Sequence, residues 1–288
     1  MRPFQFAAPA TLAEAILVMS KAQGAAKPLV GGTDLIAQMK ENRRTPGIVV
    51  DVKRIPEMRR LAYERDGLHI GAAVPCFDTY EHPDVQKLYP AVFDSARLVG
   101  SIQIQNRASI GGNVCNASPS ADTVPALLVY EGRAVIVGPK GRREVPLDGF
   151  FTGPGRSVLA PEELLLEIVL PPPSVRSSSH YQRFIPREEM DIAVAGVASL
   201  LALDAKGVCT RARIALAAVA PTPLRAKAAE AALEGKRVTP ALLREAAEVA
   251  SKAAKPISDV RGSAEYRVEL VKVLTRRTLE QCVQDLKA

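Results

Sequence analysis

Tryptophan is absent from these 288 residues, aromatic side chains make up only 5%, and there are three histidines. A groove for nucleic acid interleaves basic with aromatic side chains, so this composition argues against one. His69, His82 and His180 stand in unrelated contexts with no partner at metal or triad spacing, and they read as ordinary surface or turn residues. The four cysteines, Cys76, Cys115, Cys209 and Cys282, lie far apart without a Cys-x-x-Cys pair, which points away from zinc and iron–sulfur centres. Cys115 reads as a small buried hydrophobe. No apolar run approaches the length of a bilayer span, and the N-terminus lacks a small-residue cleavage site. A reducing cytoplasm is the expected compartment. The net charge of +7 is dispersed among acids, as in a solvated surface or a face toward an acidic partner.

Glycine is used twice in one distinctive way. Val30-Gly31-Gly32-Thr33-Asp34-Leu35 and Ser109-Ile110-Gly111-Gly112-Asn113 each pair two glycines with hydrogen-bonding residues and lead into a segment that can start a helix. A Gly-Gly pair lets main chain approach a ligand with no Cβ in the way, and successive amides then form a concavity for an anion. One such turn is an ordinary tight turn. Two together suit a dinucleotide, which has two phosphates to hold.

Around these turns the pattern is mixed. Thr11 caps a helix over 12–22, with Glu14 at the capping-box position. Strands at 28–30 and 48–52 flank a helical 35–39, giving the first 55 residues a β-α-β rhythm. A second α/β unit runs from 56 to 175, with strands at 68–72, 133–137 and 164–170, a helix over 85–99 and a helix end at 125–129. Pro171-Pro172-Pro173 with Ser177-Ser178-Ser179 reads as a linker. Beyond it, strands at 193–203 and 212–219 and Ala-rich helices at 224–234, 240–253 and 262–286 form a separate α+β domain, with Thr239 capping the middle helix. Arg187-Glu188-Glu189-Met190-Asp191 reads as a charged loop in which Asp191 orders the turn.

The residues carry a resemblance. Phe4, Pro9, Thr11-Leu12 and Glu14-Ala15, the first glycine turn, Val50-Asp51-Val52 with Ile55-Pro56, the run from Ser109 to Leu127, Phe150 to Gly155, Glu163-Leu164-Leu165 and Asp191-Ile192-Ala193 together resemble the medium, FAD-binding subunits of molybdenum hydroxylases such as carbon monoxide and xanthine dehydrogenases. That resemblance implies an α+β chain. A two-subdomain FAD-binding domain of the vanillyl-alcohol-oxidase (PCMH) type occupies 1–175, as subdomains 1–55 and 56–175. A CO-dehydrogenase-flavoprotein-like domain, a small antiparallel sheet plus a helix bundle, occupies 178–288.

By position, the resemblance implies that Lys27, Pro28, Leu29, Val30, Gly31, Gly32, Thr33, Asp34 and Leu35 wrap the FAD pyrophosphate and ribityl chain. Ser109, Ile110, Gly111, Gly112 and Asn113 close from the other side, Asp122 hydrogen-bonds the cofactor, Leu165 or Leu166 packs nearby, and Arg183 approaches the flavin. Ser109 stands where the family usually has Thr, Gln105 where it commonly has Arg, with Arg107 two positions later, and Arg183 where it often has Lys. The implied role is electron transfer. Electrons would come from a small iron–sulfur subunit, itself supplied by a large molybdenum-cofactor subunit, in a dimer of heterotrimers, and would pass to an external acceptor. This chain would then hold no metal and no catalytic residue of its own. The alternatives are a self-sufficient FAD oxidase, for which the C-terminal segment is small and Ala-rich, and a non-catalytic nucleotide-binding or assembly module.

Overall fold

Thr11 opens the first helix as its spacing to Glu14 predicts. Its hydroxyl accepts the Glu14 amide at 3.2 Å, and the Glu14 carboxylate accepts the amide of Ala10, one residue further back, at 2.8 Å. The computed structural model describes residues 1–287. Its first unit is β1 (Gln5–Ala7), α1 (Leu12–Lys21), β2 (Ala26–Leu29), α2 (Leu35–Lys40) and β3 (Ile48–Asp51). The strands are parallel in the order β1-β3-β2. Parallel neighbours need crossovers, and the segments carrying α1 and α2 supply them.

The second unit contains β4 (Leu61–Glu64), β5 (Gly67–Gly71), α3 (Cys76–Glu81), α4 (Pro83–Leu88), α5 (Pro90–Ala96), α6 (Ile102–Gln105), α7 (Ile110–Asn116), α8 (Thr123–Val129), β6 (Arg133–Gly138), β7 (Gly141–Pro146), β8 (Phe151–Gly153), β9 (Arg156–Ser157) and β10 (Leu164–Leu170). Its sheet, β4-β5-β10-β6-β7, is antiparallel throughout. β10 is the central strand and is buried at every position, which explains its near-continuous apolar run. The single helix expected over 85–99 is two, α4 and α5. Pro90 has no amide to continue a helix, and Tyr89 leaves helical geometry at φ −129°, ψ 57°.

The third unit is β11 (Ser177–Phe184), β12 (Ala195–Leu203), β13 (Cys209–Ala217), β14 (Leu224–Arg225), α9 (Lys227–Leu233), α10 (Pro240–Ser251) and α11 (Ala264–Asp285). Its four strands form an antiparallel sheet in chain order. Ser177, Ser178 and Ser179 are therefore no linker: they pair with Ala202, Leu201 and Leu200 at the start of an eight-residue strand. The helix expected from 224 starts at Lys227, because Leu224 and Arg225 pair with β13.

Both faces of this sheet are covered. Tyr181, Ala198, Leu200 and Ala215 join the core of the second unit, where α5 and α8 pack on β11, β12 and β13. Val197, Leu201, Ile214 and Leu216 pack with α9, α10 and α11. The alternation follows from the two-residue period of a strand. The C-terminal domain expected as separate thus meets the preceding one across a buried apolar face.

Charged groups fasten the same boundary. Glu131, held at φ +56° in the turn after α8, accepts from Arg211, from Arg213 at 2.7 Å and from Arg225 at 3.1 Å. His180 is buried on β11, with Nδ1 at 3.0 Å from Asp94 of α5 and Nε2 at 2.7 Å from Asp285 at the end of α11. The surface-or-turn reading of the histidines is thus corrected for two of three. His69 is also buried, 3.1 Å from Glu167 and 3.0 Å from Asp66, while His82 accepts the Asp84 amide at 3.3 Å and caps α4. Asp191 accepts the amide of Ile192 at 2.8 Å, as expected of a residue ordering its turn. Among the described residues, no helix is long and apolar enough to cross a membrane.

Candidate functional site

Both glycine turns open on one cavity of about 510 Å³, where the first unit faces the second. Lys27 and Pro28 of β2 and Val30 to Leu35 form one wall. Ser109, Gly111, Gly112 and Asn113 form the opposite one, and the β8–β9 hairpin contributes Thr152, Gly155, Arg156 and Ser157. Leu165 lines the cavity, whereas Leu166, at a bulge in the β10–β6 pairing, points its burial elsewhere. Of the two, Leu165 is the one on the wall. Leu29, Ile110, Asp122 and Arg183 are not on the wall either.

The amides of Gly31, Gly32, Thr33 and Asp34 have no protein acceptor among the described residues, and all four residues line the cavity. Consecutive free amides are what an anion requires. On the facing wall, Ser109 uses its hydroxyl to accept the Gly112 amide at 2.9 Å. The side-chain oxygen of Asn113 accepts from the amide and hydroxyl of Thr123 at 3.3 and 2.7 Å, which leaves its two N–H donors for the cavity. Gln38 donates to Asn116 at 3.3 Å and ties α2 to α7.

The glycines are needed for a different reason from the expected one. A Cβ on Gly31 would lie 2.6 Å from the carbonyl carbon of Arg107, and one on Gly111 would lie 2.5 Å from Cα of Ala72. Gly32 combines φ +74° with Ile36 and Leu29 side chains at 2.8 and 2.9 Å from its would-be Cβ. Their missing side chains make room for the protein itself. Only at Gly112, where the one neighbour is Ser109 Oγ at 3.1 Å, is there space for a ligand to use.

Lys27 and Arg44 put positive charge on the wall. Burial, and then the Arg44 guanidinium, hold the Lys27 ammonium below its usual range, while burial pushes the Asp34 carboxyl up against the pull of Arg44. Arg107, considered as a source of charge here, is exposed and off the wall. Gln105 is buried away from it, donating to the Arg97 carbonyl at 2.7 Å and accepting from Tyr80 at 2.9 Å. Cys115 is not a core residue. It is exposed on the cavity wall.

Asp122 and Arg183 find each other. The guanidinium donates to the carboxylate at 2.6 Å and the Tyr181 hydroxyl donates to its other oxygen at 3.0 Å. Burial raises the Asp122 carboxyl, and Arg183 and Tyr181 oppose that rise. Sequence reasoning assigned no role to Arg44, Thr152, Arg156 or Ser157. The Gly153-Pro154-Gly155 turn of the hairpin was the available signal for three of them.

Two family models match. Residues 2–173 fit the FAD binding domain in molybdopterin dehydrogenase, and residues 179–282 fit the CO dehydrogenase flavoprotein C-terminal domain. The carbon monoxide dehydrogenase medium chain of Hydrogenophaga pseudoflava is 33% identical over 276 residues, covering 96% of each chain. The putative xanthine dehydrogenase FAD-binding subunit of Escherichia coli (strain K12) is 33% identical over 95% of this chain and 94% of its own. Among solved structures, carbon monoxide dehydrogenase from Hydrogenophaga pseudoflava lacking the Mo-pyranopterin moiety superposes with a TM-score of 0.94 at 34% identity, covering 99% of both chains. Quinoline 2-oxidoreductase from Pseudomonas putida 86 gives 0.92 at 27% identity, covering 100% of this chain and 99% of that one.

Proposed function

This chain belongs to the FAD-binding subunits of the molybdopterin dehydrogenases, and on that footing we propose that it relays electrons between a partner's iron–sulfur clusters and an external acceptor. The observation that carries the reading is the row of free amides from Gly31 to Asp34 in a cavity walled on its other side by Gly112 and Asn113. FAD supplies reversible electron uptake when bound. The amides and Lys27 hold its diphosphate, Asn113 donates from the facing wall, and Leu165 gives an apolar contact. Asp122 and Arg183 act through position: Asp122 precedes Thr123, which fixes the Asn113 side chain.

The partners are a large molybdenum-cofactor subunit and a small iron–sulfur subunit, assembled as a dimer of heterotrimers. Exposed Phe4, Phe6 and Leu17 on the first unit, and Met190, Ile192 and Ile257 on the third, offer apolar surface for such contacts. The domain boundary falls at 176–177, between 1–175 and 178–288, and four unpaired cysteines fit a cytoplasmic setting. Purifying the chain alone and with co-expressed partners tests the reading. Visible flavin absorption, bleached by substrate only with the partners present, is expected. Bleaching by the isolated chain would establish an oxidase, and a colourless chain that FAD cannot reconstitute would establish an assembly module.

A further inference from the structure

Among the described residues, Glu64, Asp66 and His69 are the one group of three histidine, cysteine or carboxylate side chains whose ligand atoms all lie within 4.8 Å of one another. They sit at the end of the β4–β5 hairpin, with Asp66 in its turn. Ala62 of β4 pairs with His69, Glu64 with Gly67, and on the other side His69 pairs with Val169 and Gly71 with Glu167 of β10. The two-residue strand period therefore puts Glu64, His69 and Glu167 on one face of the sheet. None of the four residues lines the cavity between the first two units.

His69 lies between two acceptors, with Nδ1 at 3.1 Å from Glu167 and Nε2 at 3.0 Å from Asp66. A neutral imidazole has one N–H, so one nitrogen must face a carboxylate lone pair to lone pair. Glu167 is the one charged residue in the apolar run of β10 and is only 8% exposed. It cannot turn to water, and it claims the N–H at Nδ1, although Arg60 also stands 3.2 Å from that nitrogen. Nε2 is then left with its lone pair toward Asp66, a contact that needs a cation between the two atoms. Two ligands at about 2.1 Å from a zinc ion, at right or tetrahedral angles, stand about 3.0–3.4 Å apart, and Nε2 and Asp66 have that spacing. The charge count agrees. Three carboxylates meet one guanidinium, Arg60, which donates to Glu64 and, at 3.4 Å, to Glu167, while the nearby Arg133 is committed to Glu144 at 2.8 Å.

We propose that His69 Nε2 and the carboxylates of Asp66 and Glu64 bind a divalent cation of the zinc type, which clips the hairpin turn to the edge strand β4. Glu167 acts as the positioning residue: it holds the imidazole by Nδ1, as carboxylates behind metal-bound histidines do. Water completes the coordination on the exposed side.

Titrating the chelator-treated full chain with Zn²⁺, Co²⁺ and Mg²⁺ tests this, in a Cys115→Ser background that removes the exposed thiol. One equivalent of Zn²⁺ should bind and raise the melting temperature, because a ligand of the folded state stabilises it. The Co²⁺ spectrum should show nitrogen and oxygen ligands without a thiolate charge-transfer band. Asp66→Asn and Glu64→Gln alter exposed side chains and should each weaken Zn²⁺ by about tenfold or more, and Glu167→Gln by about 10–100-fold. Absence of Zn²⁺ binding, a thiolate band with Co²⁺, Mg²⁺ bound as tightly as Zn²⁺, or an affinity unchanged in both Asp66→Asn and Glu64→Gln overturns the site. If Glu167→Gln proves misfolded, the two exposed variants decide alone.

Discussion

Gly31 packs directly on the main chain of Arg107, so the first glycine turn rests on the segment that leads into the second. A side chain here would push the two cavity walls apart. Gly31→Ala should cost about 1–3 kcal/mol or more, as overpacking does, and lose FAD together with fold stability. Gly112→Ala should behave in the opposite way. Its Cβ meets only Ser109 Oγ and it lies inside α7, where alanine gains up to about 1 kcal/mol over glycine, yet it would intrude on the cavity. Thermal unfolding and FAD titration of both variants separate the two effects. Equal melting temperatures would refute the distinction.

Asp122→Ala leaves the Arg183 guanidinium buried without its carboxylate, and Arg183 Nε already has no partner. Removing one member of a buried pair costs about 3–5 kcal/mol. Urea unfolding should show that loss, and Asp122→Ala with Arg183→Met should recover much of it. A loss under about 1 kcal/mol would match an exposed pair instead.

His180 gives the domain boundary a pH dependence. Burial opposes its charge, but hydrogen bonds to Asp94 and Asp285 outweigh burial and raise it above its ordinary 6.5. A raised cation stabilises fully below that ordinary value, and its contribution fades as pH rises through the higher folded value. Asp285 is lowered by His180 and Ser178 against burial, so its contribution is present above its ordinary 3.8 and fades as pH falls through the lower folded value. Stability measured upward from pH 6.5 should therefore decline. His180→Gln should flatten this slope, and an unchanged slope would locate the titration elsewhere.

Cys115 is the one exposed cysteine among the described residues. Its thiol should be alkylated in the folded chain, at a rate that rises with pH because the thiolate is the nucleophile. Mass spectrometry should find the label on Cys115 alone in the native chain, and FAD should protect it. Labelling that FAD does not slow would place the cofactor away from α7.

Much of the frame was legible because its signals are local. The apolar run of β10 announces a strand buried on both faces, and Thr11 and Thr239 mark helix starts that the hydrogen bonds to Glu14 and Leu242 bear out. Ser177 to Ser179 misled because three serines after three prolines have the composition of a linker. Their place in a sheet depends on pairing with β12, which no local window contains. Arg44 was invisible for a related reason: it becomes a cavity residue only when the chain after α2 returns beside β2. His180 likewise gains its two carboxylates from elements 86 and 105 residues away. The glycine turns were found, but their purpose was half misread, since a sequence does not say whether the missing Cβ spares a ligand or a neighbouring strand of chain.

The doubly covered sheet of the third unit sets a limit on dissection. The gap between the two family matches, 173 to 179, looks like a natural place to cut a gene. Scissors there would strip α5 and α8 from the Tyr181, Ala198, Leu200 and Ala215 face and the sheet from those helices, leaving two fragments each with a raw greasy side. Neither half should be expected to survive in soluble form by itself, and engineering of this flavoprotein is best done on the intact polypeptide.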